Sequence, residues 1–350
     1  MCNAFCHVLG DAGNGRRAVC RRFSASGAPD WRVNDGAGPR ALRGGPLANL
    51  LAVCAVFLWG TAFPAVKRGY ALFLLAPDDM AGRMVFAGER FVLAGALTLV
   101  CAAVFTGRPP SLPRGRWGGV VVLALVQTTL QYLFFYAGMA HTTGTKGAII
   151  DSSAAFIGVI LAHFLCAGER MTARRAAGCV IGFLGVVLVN LGADGVGGFS
   201  WRGDGLMLLA AASFAFGGVI SGRAARCLDP AAVTGWQLLG GGALLLAGGA
   251  AMGGRAVPPS GAAWLLLGYL AILSAVAFTI WTLLLKYNPV AKISIYNSLT
   301  PVFGALCSAV VLGERFFSIK NLAALALVCG GVYLVNCVPD GTGRGKTERV

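Results

Sequence analysis

A few ionisable side chains occur inside long apolar stretches of this sequence, where a charge is energetically costly. Asp151 lies inside the fourth stretch, Glu89 and Arg90 are adjacent in the second, and His141 stands just before the fourth. A carboxylate at Asp151 without a cationic partner is expected to be protonated. Asp151, Glu89 and His141 are therefore candidates for proton coupling. Glu89 and Arg90 could instead neutralise one another or extend towards water.

Aromatic and amide side chains collect in the same apolar stretches. Gln131 and Phe135 are four residues apart, so they lie on one face of a helix. Apolar walls with a few polar groups are typical of small-molecule sites. We predict a substrate pocket among Trp59, Gln131, Tyr132, Phe135, Ser152, Trp236, Gln237, Trp281, Tyr296 and Asn297. Taken singly, each of these residues could also be an interfacial anchor or form a helix–helix hydrogen bond.

Three further residues are candidates for gating or for a helix break. Pro301 lies inside the ninth apolar stretch, where it is expected to remove a backbone hydrogen bond. Carbonyl groups freed near the middle of a bilayer can bind substrates or ions, although a simple kink is the alternative. Lys67 ends the first stretch and Lys292 begins the ninth, and their charges favour an anionic or zwitterionic substrate.

The elements that position these residues are membrane-spanning helices. Hydrophobic residues make up 57% of the chain and charged residues only 12%, whereas soluble domains carry about 25% charged residues. Because backbone polar groups in lipid must be paired within their own segment, long apolar blocks indicate helices. The sequence predicts an all-α integral membrane protein with ten spans, near 48–66, 84–106, 117–139, 143–166, 174–192, 205–222, 231–252, 262–285, 291–312 and 320–338.

The net charge of +15 does not indicate nucleic-acid binding, because the basic residues lie in a tail and in short loops between apolar blocks. Their distribution instead favours a topology with both termini in the cytoplasm. No Cys/His cluster has metal-ligand spacing and no phosphate-binding loop is present, so we expect no metal or other cofactor. Glycines at positions 182, 185 and 218 are expected to allow close helix–helix contact.

An internal repeat divides the apolar region. The triplet Gly168-Glu169-Arg170 recurs 145 residues later as Gly313-Glu314-Arg315, each time after a long apolar span. We assign residues 47–195 to a first five-helix repeat and 203–338 to a second. Because five is odd, the second repeat enters the membrane upside down, which is a hallmark of secondary transporters. Residues 1–46 are expected to be a disordered basic tail and residues 339–350 a polar tail.

These features resemble the EamA-type branch of the drug/metabolite transporter superfamily. The resemblance rests on the segments 58–67 (LWGTAFPAVK), 89–97 (ERFVLAGAL), 168–178 (GERMTARRAAG) and 298–315 (SLTPVFGALCSAVVLGER), and it covers roughly residues 48–338. It implies ten helices, two inverted repeats and transport of small metabolites without ATP hydrolysis. One departure is that Thr300-Pro301 in the second half corresponds to Ala155-Phe156 in the first.

The sequence therefore predicts a secondary transporter for a small metabolite, such as an amino acid or a related compound, working by alternating access. Proton-coupled export is one version of this prediction, and the sequence leaves the direction of transport and the coupling ion open. The expected partners are a small-molecule substrate and the lipid bilayer, with a monomer or homodimer as the assembly. The cell inner membrane is favoured over an organellar membrane. A membrane-embedded enzyme, a channel and a scaffold protein remain the alternatives, although the spans offer little material for a catalytic pair.

Overall fold

All regular secondary structure in the described part of the chain is helical. The computed structural model describes residues 42, 45–76, 78–165, 171–190, 199–288, 293, 295–313 and 319–336. The helices are α1 Pro46–Leu72, α2 Met80–Thr106, α3 Arg114–Ala140, α4 Gly144–Leu165, α5 Ala173–Asn190, α6 Trp201–Cys227, α7 Pro230–Ala251, α8 Gly261–Tyr287, α9 Thr300–Leu312 and α10 Ile319–Asn336. Several predicted features lie outside the described residues. They are nearly all of the two tails, Lys292, and both repeated triplets except Gly313.

Seven of these helices, α1 to α4 and α6 to α8, are long and apolar enough to cross a membrane. The apolar helix α9 and the segment Ile319–Gly331 of α10 are shorter. Between 41% and 56% of each spanning window is buried inside the protein, so the remaining surface of each helix faces outwards. Large apolar side chains such as Val104, Leu265 and Val310 are exposed there. The predicted multi-pass membrane protein is confirmed by this pattern, which a soluble protein would not tolerate.

Local sequence signals set where several helices begin and end. The side chains of Asp79, Asp229 and Ser260 accept hydrogen bonds from backbone N–H groups in the first turns of α2, α7 and α8. Such caps satisfy donors that have no partner within the helix. Gly107 ends α2 in the left-handed conformation with φ of 66°, which glycine adopts without steric cost.

Irregular backbone occurs within or next to three of the helices. A π-helical segment, Ala124–Leu130, interrupts α3, and α4 is broken at Ser152 between Gly144–Asp151 and Ser153–Leu165. A 3₁₀ turn, Ile295–Leu299, precedes α9. Irregular backbone at membrane depth is tolerated only where it is buried in protein or lines a cavity. These breaks therefore indicate where a ligand site should be sought.

The hydrogen-bond loss predicted at Pro301 does not occur inside a helix, although the predicted ninth span is interrupted just before it by the 3₁₀ turn Ile295–Leu299. Pro301 lies in the first turn of α9, where its missing N–H would have no intrahelical partner in any case. It therefore begins a helix and removes no hydrogen bond within one. Pro64 is the proline that does lie inside a helix, in α1.

The main helix contacts between the two predicted repeats come in matched pairs. Helix α2 packs against α7, and α5 packs against α10. The contact between α1 and α8 has its counterpart in the contact between α6 and α3. The contact between α1 and α9 has its counterpart in the contact between α6 and α4. Helices in equivalent positions of the two repeats thus have equivalent neighbours.

Glycines bring the paired helices into backbone contact. A Cβ atom added to Gly185 of α5 would lie 2.6 Å from the carbonyl oxygen of Ala324 in α10, so the close approach predicted for this helix is confirmed. The prediction for Gly218 is wrong, since nothing lies within 4 Å of its added Cβ. In α7, a Cβ on Gly242 would lie 2.6 Å from the backbone nitrogen of Val92 in α2.

We expect Gly242→Ala to destabilise the protein by about 1–3 kcal/mol, which is typical of overpacking at a rigid contact. The added methyl meets backbone atoms, so α2 and α7 must move apart. Gly240→Ala, on the same helix, is the matched control because its nearest neighbour would be the Ala124 Cβ at 3.8 Å. The unfolding temperature in detergent should fall for Gly242→Ala only, and an equal effect of both substitutions would contradict this interpretation.

Candidate functional site

A central cavity of about 50 Å³ lies among α1, α2, α3, α4, α6, the 3₁₀ turn before α9, and the start of α9. It is lined by seven predicted site residues: Trp59, Gln131, Tyr132, Phe135, Asp151, Ser152 and Asn297. Five more residues that were not predicted complete the lining: Ala62, Phe63, Arg90, Phe214 and Thr300. The central cavity therefore sits where the helix irregularities meet.

The volume of the central cavity shows whether a small-molecule substrate could occupy it in this structure. A volume of about 50 Å³ accommodates a few water molecules, whereas small-molecule sites typically enclose about 300–1,000 Å³. A metabolite therefore cannot fit unless the surrounding helices move apart. The structure thus represents a closed form of the central cavity.

Arg90 is the unusual member of the lining. Its side chain is 1% exposed. Its Nε donates a hydrogen bond to Ser274 Oγ (2.8 Å) and its Nη1 donates to Tyr136 Oη (3.1 Å). The guanidinium carbon also lies 4.8 Å from the ring centroid of Phe91 and 5.6 Å from that of Tyr132. Arg90 is thus held by neutral hydrogen-bond acceptors and aromatic faces.

Within the described ranges, no carboxylate lies within 4.0 Å of the Arg90 guanidinium. The expected neutralisation of Arg90 by Glu89 does not occur: Glu89 is half-buried, its Oε2 has no hydrogen-bond partner, and it does not line the central cavity. A buried charge without a counter-ion is destabilising. Its presence beside a cavity is what a binding site for an anionic group requires.

Further polar atoms around the central cavity have no partner among the residues described. They are Asp151 Oδ1, Gln131 Oε1 and Trp59 Nε1. Leaving a buried polar group unpaired costs about 1–3 kcal/mol, so native proteins rarely accumulate such groups in one place. Together with Arg90, they provide both donors and acceptors around one small space.

Aromatic rings form the rest of the wall. Trp59 lies at the centre of this packing, with its ring centroid 5.6 Å from that of Phe214 and 4.9 Å from that of Trp281. Phe63 and Phe135 are 5.5 Å apart. Trp281, a predicted site residue, therefore packs against the Trp59 ring but does not itself line the central cavity.

Three predicted pocket residues lie elsewhere. Trp236 packs on Trp117 with ring centroids 5.1 Å apart and donates a hydrogen bond to the carbonyl oxygen of Pro110 (3.0 Å), so it anchors one end of α7. Gln237 is fully buried away from the central cavity. Tyr296 packs against the hydrophobic core and is also absent from the lining.

His141 and Lys67 also lie away from the central cavity. His141 follows the last residue of α3 and is exposed. Partial desolvation, followed by the positive charges of Arg83 and Arg202, lowers the pKa of the His141 imidazole, with Lys67 adding to the effect. Lys67 lies near the end of α1 and is half-buried. Neither residue touches the space around Arg90.

A buried ion pair joins the first turns of α4 and α6. Lys146 Nζ lies 2.7 Å from Asp204 Oδ2, with the two side chains 6% and 1% exposed. Asp204 also accepts hydrogen bonds from Thr142 Oγ1 (3.2 Å) and from the backbone N–H of Ser200 (2.8 Å). This arrangement fixes the ends of two helices to one another.

Sequence reasoning missed Arg90 as a site residue because an acidic neighbour was available to it. The signal that could have identified it is its position in the middle of an apolar span, where an ionisable residue is by default a functional candidate. Phe63 and Phe214 carried no such signal, since an aromatic residue in a spanning helix usually packs in the core or against lipid.

Comparison with known proteins identifies the family. The EamA-like transporter family matches residues 46–191 and again residues 201–337. A WAT1-related chloroplastic protein from Arabidopsis thaliana is 32% identical over 81% of this chain and 68% of its own. An uncharacterised transporter from Synechocystis is 29% identical over 83% of this chain and 89% of its own.

A more distant relative and a solved structure complete the comparison. A probable amino-acid metabolite efflux pump from Escherichia coli is 27% identical over 82% of this chain and 93% of its own. A crystal structure at 24% identity covers 82% of this chain and 95% of its own, with a TM-score of 0.63, and it supports the fold alone. The two family matches together span most of the chain, and the relatives named above include transporters. This multi-pass membrane protein therefore belongs to the EamA-like transporter family, within the drug/metabolite transporter superfamily.

Proposed function

We propose that this protein is a secondary carrier that moves a small metabolite across a membrane by alternating access. The observation that carries the proposal is the central cavity, which holds a buried arginine without a counter-ion. Its walls come from both family-matched regions. Because the central cavity is too small for a metabolite in this closed form, substrate entry requires the two regions to separate on one side.

The proposed architecture is ten membrane-spanning helices arranged as two inverted five-helix repeats. The paired helix contacts support it, since each main contact recurs with the two regions exchanged. The sequence offset of 145 residues between the two triplets also relates Ser152 to Asn297, and both line the central cavity. Such repeats allow an inward-open and an outward-open form of similar energy.

The proposed substrate carries a carboxylate, as an amino acid or a related compound does. Arg90 supports this choice because a guanidinium binds a carboxylate through charge-assisted hydrogen bonds. The Escherichia coli relative, named a probable amino-acid metabolite efflux pump, supports both this substrate class and export as the direction. The proposed location is the cell inner membrane with both termini cytoplasmic, as a monomer or homodimer. The name of the Arabidopsis relative leaves an organellar membrane as the alternative.

Counterflow in proteoliposomes tests the proposal. Liposomes containing the full chain would be loaded with a mixture of unlabelled amino acids and organic acids and then exposed to single labelled solutes. We expect transient accumulation of one carboxylate-bearing solute that depends on the internal load. A channel would give no trans-stimulation. An absence of exchange for every solute, with protein that elutes as a folded species, would overturn the proposal.

Proton coupling is proposed to depend on Asp151, and not on Glu89 or His141. Because the pKa of His141 is lowered below its ordinary value of about 6.5, its imidazole is neutral at and above neutral pH. We therefore expect His141→Gln to leave the pH profile of transport unchanged, whereas Asp151→Asn should flatten it. Glu89→Gln is the second control, because Glu89 does not line the central cavity. A profile altered by His141→Gln would contradict this assignment.

A further inference from the structure

A basic and an acidic side chain line the central cavity without pairing with each other. Arg90 on α2 and Asp151 on α4 both contribute to its lining, yet they form no ion pair within 4.0 Å. Asp151 Oδ1 is buried and has no hydrogen-bond partner within the described part of the chain. An arginine and a carboxyl group that could meet in a buried site would normally form an ion pair, because each stabilises the ionised form of the other.

We infer that Arg90 and Asp151 form a two-point site for a zwitterion, in which Arg90 binds the carboxylate of an α-amino acid and Asp151 binds its ammonium group. The inference rests on the proposed carrier function and narrows its substrate class. A zwitterion gives Arg90 a counter-ion, and its ammonium group favours the ionised form of the Asp151 carboxyl, so the occupied cavity is electrically neutral. An anion without an amine satisfies Arg90 only and leaves Asp151 without a cationic partner.

The remaining lining fits the rest of such a ligand. Gln131 Oε1 is a further acceptor without a partner and can share the ammonium protons with Asp151. Trp59 Nε1 is a donor without a partner and can share the carboxylate with Arg90. The other walls are the rings of Phe63, Phe135 and Phe214, which favour an apolar side chain on the amino acid.

The geometry of the helix break also supports Asp151 as a ligand-binding group. Asp151 is the last residue of the segment Gly144–Asp151, and Ser152 directly after it donates its hydroxyl hydrogen bond to the Ile149 carbonyl oxygen (2.5 Å). The Ser152 hydroxyl group therefore donates to the backbone and does not donate a hydrogen bond to the Asp151 carboxylate. A ligand ammonium group would supply the missing donor.

The test uses three probes that differ only at the two charged groups. Leucine carries both groups, 4-methylpentanoate lacks the amine, and 3-methylbutylamine lacks the carboxylate. Their affinities for the purified full chain would be measured by the ligand-dependent shift of the unfolding temperature, and inhibition of counterflow would be measured in parallel. For the wild-type protein we expect leucine to bind at least about tenfold more tightly than either analogue.

The variants separate the two contacts. Asp151→Asn should weaken leucine binding by about tenfold or more and leave 4-methylpentanoate binding unchanged. Arg90→Gln should weaken leucine and 4-methylpentanoate and should not weaken 3-methylbutylamine. Glu89→Gln is the matched control, since it removes a half-buried carboxylate outside the central cavity, and it should change none of the three affinities.

The outcomes distinguish this inference from the carrier function. If 4-methylpentanoate binds as tightly as leucine, or if Asp151→Asn weakens all three probes equally, the two-point site is wrong even though counterflow of another solute would preserve the carrier. Exchange of solutes that lack an amine, with no binding of leucine or other amino acids, would overturn the inference in the same way. Only a complete absence of exchange would remove the carrier function as well.

Discussion

Replacement of Arg90 by glutamine is expected to abolish measurable transport at low substrate concentration. Removing one partner of a buried, hydrogen-bonded charge pair costs about 2–5 kcal/mol, which corresponds to roughly 30-fold to several-thousand-fold in affinity. The loss should appear in counterflow as a raised half-saturation concentration for carboxylate-bearing solutes. Arg90→Lys should retain part of the activity, because it keeps the charge but not the planar set of donors.

The matched control is Arg83→Gln. Arg83 lies two turns earlier on α2 and is 2% exposed, so the substitution removes the same charge from a comparable environment. Its Nη2 donates to the Ala76 carbonyl oxygen (2.5 Å) and its guanidinium faces the Tyr70 ring, away from the central cavity. We expect Arg83→Gln to keep the half-saturation concentration of the wild type. Equal losses in both variants would mean that the effect arises from buried charge in general.

Stability provides a second readout for Arg90. Because Arg90 is buried with neutral partners only, its charge destabilises the substrate-free protein. The unfolding temperature of Arg90→Gln should therefore equal or exceed that of the wild type while transport is lost. A structural arginine would behave in the opposite way, since its removal would lower the unfolding temperature. The combination separates a residue retained for binding from one retained for folding.

The membrane class could be read from the sequence because it depends on composition and block length, which no tertiary contact can reverse. Most of the central cavity could also be anticipated, since amide and aromatic groups such as Gln131 and Trp59 are conspicuous in apolar spans. Those two residues lie where the prediction put them, in one cavity. The same reasoning failed for Trp236, because an indole in the first two turns of α7 serves equally well as an anchor to the neighbouring loop.

The residues that contact the Arg90 side chain could not be predicted, because they depend on how α2 is rotated about its axis. Adjacent residues on a helix point about 100° apart, so Glu89 and Arg90 face different neighbours and do not pair. Which of the two side chains faces the central cavity depends on which face of α2 is covered by α7 and α8, and that is a property of the tertiary packing. The hydrogen-bond loss expected at Pro301 does not occur for a related reason, since only the chain path shows that a 3₁₀ turn ends at Leu299 and α9 begins at Thr300.

Loss of the buried ion pair between α4 and α6 is expected to be the largest effect on stability. Asp204→Asn removes the carboxylate that lies 2.7 Å from the Lys146 ammonium, whose side chain is 6% exposed. Breaking a buried pair by removing one charge costs about 3–5 kcal/mol. The unfolding temperature in detergent should fall accordingly, whereas Asp78→Asn, which changes an exposed carboxylate, should have little effect.

A double substitution shows whether the pair itself is responsible. In Lys146→Met with Asp204→Asn, no buried charge is left at this junction, and the amide oxygen can still accept the hydrogen bond that Ser200 N–H gives to Asp204. Replacing both members of a buried ion pair is often neutral, so most of the lost stability should return. Additive losses in the double variant would mean that Lys146 and Asp204 act separately. Recovery would instead show that Lys146 and Asp204 stabilise the junction of α4 and α6 as a pair.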